Sequence, residues 1–141
     1  MEHVVYLDAQ AGEMENLLAG KKTMIIRGAA GRKLPYGRVN PGDVLYFLNN
    51  DGKGLVQARA EVCRVLNSEP LTPEASQKLL ADHQNALQLT EKQQKRWSGK
   101  RYLVLITVET IQQLAPFQID RSGYGNMDDW LTVGDINTVR I

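Results

Sequence analysis

The chain has 141 residues, 43% of them hydrophobic and 23% charged, enough for one packed domain burying roughly two thirds of its unfolded surface without disulfide or metal staples. Seventeen basic and sixteen acidic residues leave a net charge of +1, so any affinity for nucleic acid has to come from a local patch. One cysteine, Cys63, excludes an internal disulfide, and no apolar run approaches the roughly 18 residues that cross a bilayer; the expectation is a cytoplasmic protein with no membrane partner.

In chain order, His3 to Leu7 is a β-branched and aromatic run that predicts a first strand. Glu13 to Ala19 has helical spacing through Met14, Leu17 and Leu18, with acids near its start that suit the helix dipole and Gly20 as a left-handed stop. A strand from Thr23 to Arg27 follows. Residues 28–40 hold Gly28, Gly31, Pro35 and Gly37 and read as a loop. Val44 to Leu48 is a continuously apolar strand, and Asn49 to Gly52 is a hairpin turn. From Val56 the pattern alternates, with a phase change near Cys63 to Val65 that predicts a bulge or the strand's end.

Thr72-Pro73-Glu74 opens a helix through Leu79, Leu80, His83 and Leu87, and Thr90 with Gln93 forms a capping-box signature for a second helix from Glu91 to about Trp97. Tyr102 to Val108 is the most strand-like segment. Phe117 to Asp120 reads as a separate short strand, Ser122 to Asp129 as a glycine-rich loop, and Thr132 to Ile141 as a turn followed by an alternating strand. No linker, repeat or low-complexity tract interrupts the chain, so residues 1–141 are read as a single domain. The element order predicts an α+β, mostly β fold: a small mixed β-barrel with helices packed at its openings, with an open α+β sheet as the alternative.

The stretch from Gly20 to Asp43, GKKTMIIRGAAGRKLPYGRVNPGD, concentrates the chemistry. Lys21, Lys22, Arg27, Arg32, Lys33 and Arg38 fall there with no Asp or Glu before Asp43. Lys22 and Arg27 are suited to a phosphate or a base edge, or else are solvent-facing charges at the ends of a strand. Arg32, Lys33, Tyr36 and Arg38 match single-strand recognition, with cations along the backbone and a ring under a base; the competing reading folds Tyr36 onto the core. Tyr124, between two glycines, is a further stacking candidate, whereas Trp130 reads as a core anchor. His3, His83 and Cys63 are too scattered for a metal site, Cys63 reads as a small core residue, and no cofactor motif is present. The Gln-rich face of the helical insert, with Gln77, Gln84 and Gln93, is a surface open to a protein partner.

The run LLAGKKTMIIRG, a basic loop, then NPGDVLYF and later YLVLITV resembles the ASCH domain of the PUA-like superfamily. Of its signature Gly-x-Lys-x-x-Glu-x-Arg, Gly20, Lys22 and Arg27 match, and Ile25 stands at the Glu position. The resemblance implies a PUA-like barrel whose cleft binds RNA, single-stranded RNA being favoured, or a nucleotide. One ASCH subgroup is similar to amidohydrolases that deacylate acetylated cytidine, with the pattern Leu-Ala-Gly-Arg-Lys-Thr-Ile-Thr-Ile-Arg. Here Ile25 replaces its second Thr, and a hydrocarbon cannot act as a nucleophilic or proton-shuttling hydroxyl. The subgroup's helical Glu aligns with Gln84, or with Asp82 after a register shift. Binding is therefore the favoured reading, and hydrolysis by Lys22, Thr23 and Asp82 the alternative.

Overall fold

The computed structural model describes residues 1–125 and 128–141. Six strands form one sheet: β1 (Glu2–Leu7), β2 (Met24–Ala29), β3 (Val44–Asn49), β4 (Leu55–Asn67), β5 (Tyr102–Gln118) and β6 (Trp130–Gly134), in spatial order β2-β5-β4-β3-β1-β6. Only β1 and β3 run parallel, because the helix α1 (Glu13–Leu18), β2 and the basic loop cross over between them; every other pair is antiparallel.

The sheet is curled into a half-barrel. Ile25, Leu45, Phe47, Ala60, Ile106, Val5 and Trp130 pack in one cluster, so all six strands send buried side chains to a common concave interior, and Met14 and Leu17 of α1 pack into it. Alternate residues of β2 and β5 (Met24, Ile26, Leu103 and Leu105) face the other way. They are covered by α2 (Pro73–Asp82), α3 (Gln84–Leu87) and α4 (Glu91–Trp97) through Leu80, Leu87 and Trp97. The predicted mixed barrel with helices is thus observed, with α1 at an opening and α2 to α4 against the convex face of β2 and β5. A third cluster, built on Val4, Tyr46, Leu131 and Ile136, covers the outer face at the β1 and β6 end.

Curling takes long, irregular strands. The β4–β5 ladder shifts register three times, and Thr110 adopts a positive φ of 53° within β5. This corrects two expectations. Phe117 belongs to β5 and pairs with Val56, while Ile119 makes only an isolated bridge to Arg140. Beyond β6 the chain forms a 3-10 turn, Ile136–Thr138, capped by Asp135, in place of an alternating strand. The phase change after Val62 is one of the β4 bulges; Cys63, on the outward phase of the alternation, is exposed and not in the core.

The caps are as read: Thr72 accepts from the Ala75 amide, Thr90 and Gln93 form a reciprocal capping box, and Gly20 has φ 75°. The helix through Leu87 is interrupted at His83, whose φ of −114° falls outside the helical region. Of Gln77, Gln84 and Gln93, only Gln77 is exposed. Gln93 is buried by its cap, and Gln84 binds the backbone of Leu89 at both ends of its amide. Among the described residues no helix is long and apolar enough to cross a membrane.

Gly28 is where β2 approaches β5 most closely: a Cβ there would lie 2.6 Å from Leu103 Cδ2 and 3.2 Å from the Tyr102 carbonyl oxygen. Gly28→Ala is expected to destabilise the fold by about 1–3 kcal/mol through overpacking, while Gly31→Ala, with nothing within 4 Å, stays within about 0.5 kcal/mol. Urea denaturation of the two variants measures the difference.

Candidate functional site: a polar cleft at the barrel seam

The sheet ends on β2 at one edge and β6 at the other, and no strand ladder joins them. Arg27, on the concave side with Ile25, crosses this gap. Its Nη2 donates to the Tyr6 carbonyl of β1 at 2.6 Å, its Nη1 donates to the Ile26 carbonyl at 2.8 Å, and its Nε lies 3.3 Å from Asp129 Oδ2. The guanidinium also sits 5.7 Å from the ring centroid of Trp130. Only 8% of this side chain is exposed. The Asp129 contact is an ion pair without hydrogen-bond alignment, so the buried Nε has no hydrogen-bond partner among the described residues.

A cleft of about 160 Å³ wraps this seam, lined by Tyr6, Asp8, Glu13, Arg27, Asn50 and Asp129 and, from α4, by Gln93, Arg96 and Trp97. Through Asp8, Asn50, Gln93 and Arg96 it continues into a wider depression of about 630 Å³ that adds Gln10, Asp51 and Lys92. Arg96 lies 3.9 Å from Asp129 Oδ2 and 4.4 Å above the Trp97 ring centroid. Asp129 thus stands between two guanidinium groups.

Behind Glu13 lies Lys22. Its side chain is 1% exposed; the ammonium donates to the Leu87 carbonyl of α3 and pairs with Glu13 Oε2 at 3.3 Å. Burial pushes its pKa below the ordinary lysine value, Glu13 opposes that shift, and Arg27 adds to it. Glu13 Oε1 accepts from the Asp8 amide at 2.9 Å, so α1, α3 and the end of β1 meet at one buried ion pair. Ile25, at the signature's Glu position, is fully buried opposite Ile106. The carboxylate beside Lys22 comes from α1 instead.

Lys22 is therefore neither a solvent-facing charge nor an open phosphate contact, and of the predicted cations Arg27 alone reaches the cleft. Arg32, Lys33 and Arg38 are exposed on the loop. Tyr36 is folded inward: its hydroxyl donates to the Ser68 carbonyl at 2.6 Å, and its ring meets Tyr102 edge-on at 5.5 Å. Arg32 lies 5.8 Å from the Tyr36 centroid and 5.6 Å from that of Tyr102, so these rings are already engaged. Tyr124 packs against the outer cluster, Asn126 and Met127 of its loop lie outside the described residues, and Trp130 is a core anchor with 2% exposure.

Thr23 and Asp82 line a different recess, of about 510 Å³, with Gly20, Lys21 and His83, and Asp82 pairs with Lys78 at 2.9 Å. Lys22, Thr23 and Asp82 share no pocket. Sequence reading passed over Glu13, Asp129, Gln93 and Arg96. For Glu13 a signal was present, since it stands four residues before Leu17 on the buried stripe of α1.

Solved structures with this architecture come from an ASCH protein of Zymomonas mobilis. The chain has the ASCH fold. A tyrosine-to-phenylalanine mutant of that protein matches with a TM-score of 0.71 at 15% identity over 97% of this chain and 93% of that one. A serine-to-alanine mutant matches with 0.71 at 15% over 97% and 91%, and the ASCH protein without a stated mutation with 0.67 at 16% over 92% and 85%. No protein-family model and no curated protein matches the sequence. At this identity the likeness is one of fold, and the seam residues are argued from their own geometry.

Removing one partner of the Lys22–Glu13 pair strands a buried charge. Glu13→Gln is expected to lower stability by about 3–5 kcal/mol, while the double variant Glu13→Leu with Lys22→Met recovers most of the loss; chemical denaturation of both variants decides it.

Proposed function

We propose that the protein binds single-stranded RNA or a nucleotide, with one base entering the seam cleft and the sugar-phosphate lying over the adjoining depression. The observation that carries this reading is the small polar cleft around Arg27, whose buried Nε retains an unused hydrogen-bond donor. A volume of about 160 Å³ is below the roughly 300 Å³ at which ligand pockets for whole drug-sized molecules begin, so the narrow end suits a single ring system.

Charge favours a base over a phosphate there. Asp8, Glu13 and Asp129 line the cleft with Arg27 and Arg96, and Lys22 lies behind Glu13, so donors and acceptors alternate and no net positive field builds up. A base edge offers both donors and acceptors, while a phosphate offers acceptors only and meets repulsion from the acids. The Arg96 guanidinium over Trp97 supplies a planar surface on which a base stacks. Arg32, Lys33 and Arg38 on the loop, where no acid stands between Gly20 and Asp43, are the main backbone contacts, with Lys92 and Arg96 at the depression partly offset by Asp8 and Asp51. The hydrolytic alternative has no support from a shared pocket, because Lys22 is enclosed and Thr23 and Asp82 open elsewhere.

Fluorescence anisotropy with a pool of short single-stranded RNAs tests the reading. Arg96→Ala is expected to weaken binding about tenfold, the loss of one charge-assisted contact. Replacing Arg32, Lys33 and Arg38 together by Ala reduces the slope of log affinity against log salt by about 2. No binding to any single strand or nucleotide, or full binding by Arg96→Glu, sinks the proposal.

A further inference from the structure

On the core side of the seam, the cleft residue Asp129 is followed in the chain by Trp130, and Trp130 is held by a buried histidine. His3 of β1 is fully buried. Its Nε2 lies 2.9 Å from Asp43 Oδ2, and its Nδ1 lies 3.1 Å from both Trp130 Nε1 and Thr132 Oγ1. An indole nitrogen can only donate, so Nδ1 has to present its lone pair. The ring proton therefore resides on Nε2 and is donated to Asp43, and the imidazole is neutral.

Protonation at Nδ1 would set an N–H against the Trp130 N–H and against any donation from Thr132. We infer that His3 is an acid-sensitive latch on the seam: taking up a proton at Nδ1 removes the acceptor that seats the Trp130 indole, and this releases Trp130 and Asp129 from their places around Arg27. Thr132 and Trp130, from β6, carry no charge. The charged groups facing the ring are the Asp43 carboxylate, ahead of β3, and the Met1 ammonium, 3.7 Å from Asp43 Oδ1. Across the indole lies the Arg27 guanidinium. Asp43 also accepts from the Asn40 amide at 3.0 Å, which fixes it whatever the state of His3.

The environment sets when the latch opens. Burial pushes the His3 pKa below its ordinary 6.5, Asp43 opposes this, and the Met1 ammonium reinforces it. An unfolded chain takes up the proton near its ordinary pKa while the folded one refuses it. The folded state therefore binds fewer protons, and its stability falls as pH drops from about 6.5 toward the lowered value. The latch is closed at neutral pH and opens only below the ordinary histidine range.

The test is a pH titration of the isotope-labelled full chain by NMR, from pH 7.5 to 5, without ligand. The expected result is one shared midpoint below 6.5 for the His3 ring carbons, the Trp130 indole N–H and the Asp129 amide, with the Trp97 indole unmoved. His3→Gln, which keeps one donor and one acceptor, should abolish the movement of the Trp130 indole. A His3 midpoint at or above 6.5, a Trp130 signal that does not follow the His3 ring, or an unchanged Trp130 titration in His3→Gln would falsify the latch. If His3→Gln does not fold, the shared or separate midpoints in the unmodified chain decide alone. The consequence for ligand rests on the proposed binding reading. Affinity for the RNA pool falls at least tenfold across the same midpoint, whereas absence of RNA binding at every pH with the shared midpoint intact overturns that reading and leaves the latch standing.

Discussion

The structure depends on what joins the two edges of its sheet. Six strands curl far enough that β2 comes to face β1 and β6, yet no backbone ladder forms across the gap. A side chain takes over that work. The Arg27 guanidinium, with several donors in one rigid plane, reaches the Tyr6 carbonyl at the end of β1, next to the β6 edge, while holding the Ile26 carbonyl on its own strand. A lysine at this position could not span the two carbonyls in one plane. Burying a guanidinium is costly unless its charge is matched, and Asp129 and the face of Trp130 provide the match.

Two further polar networks flank that arginine, and each ties a distant segment to the seam. Lys22 and Glu13 bind α1 to α3 beside the cleft, and His3 with Asp43 binds β1 and the turn before β3 to the Trp130 indole. Both sit at positions where a hydrocarbon would pack without desolvation cost. Their distribution is informative, because the buried charged side chains Glu13, Lys22, Arg27 and Asp43, with His3, stand around the seam, while the buried polar groups away from it, Ser68 and Ser76, are uncharged hydroxyls bonded to backbone. Fully partnered networks of this kind rigidify the parts they join, and removing one partner exposes the rest to the full cost of an unmet buried group. Placing them at one gap concentrates the chain's sensitivity there.

Much of the scaffold was legible because its signals are local. The capped helices, Gly20, the β3–β4 hairpin and the apolar strands each depend on residues within a few positions of one another. What escaped depends on tertiary placement. The second half of β5 carries Gln112, Gln113 and Pro116 and reads as a break; it remains a strand because it pairs with β4 around Val56 to Arg59, where bulges absorb the mismatch. Cys63 looked like a core residue by type, but it stands on the outward phase of the β4 alternation with Gln57, Arg59 and Glu61. In the site, Arg27 was visible as the end of a basic strand, but Asp129 lies 102 positions further on and no local pattern links them. Arg96 likewise looked like one more surface charge on a short helix. Tyr36 shows the opposite error, since a ring in a basic loop resembles a stacking platform until its hydroxyl is found bonded to Ser68.

The division of charge between loop and cleft bears on how such a fold chooses a ligand. A chain with a net charge of +1 has no long-range field to hold a polyanion, so exposed cations are effective only within about a Debye length of roughly 8–10 Å. Arg32, Lys33 and Arg38 are exposed on one loop, and under the proposed reading they would add affinity without regard to sequence. The cleft does the reverse. Its acids cancel its cations, so it contributes little general attraction, and a group entering it must replace the hydrogen bonds of water one for one. A mismatched edge would leave the buried Arg27 Nε unpartnered, where an unmet polar group costs about 1–3 kcal/mol. Under the proposed binding reading, selectivity would reside in the seam and affinity in the loop, and the arginine that bridges the seam would be the one whose free donor the ligand satisfies.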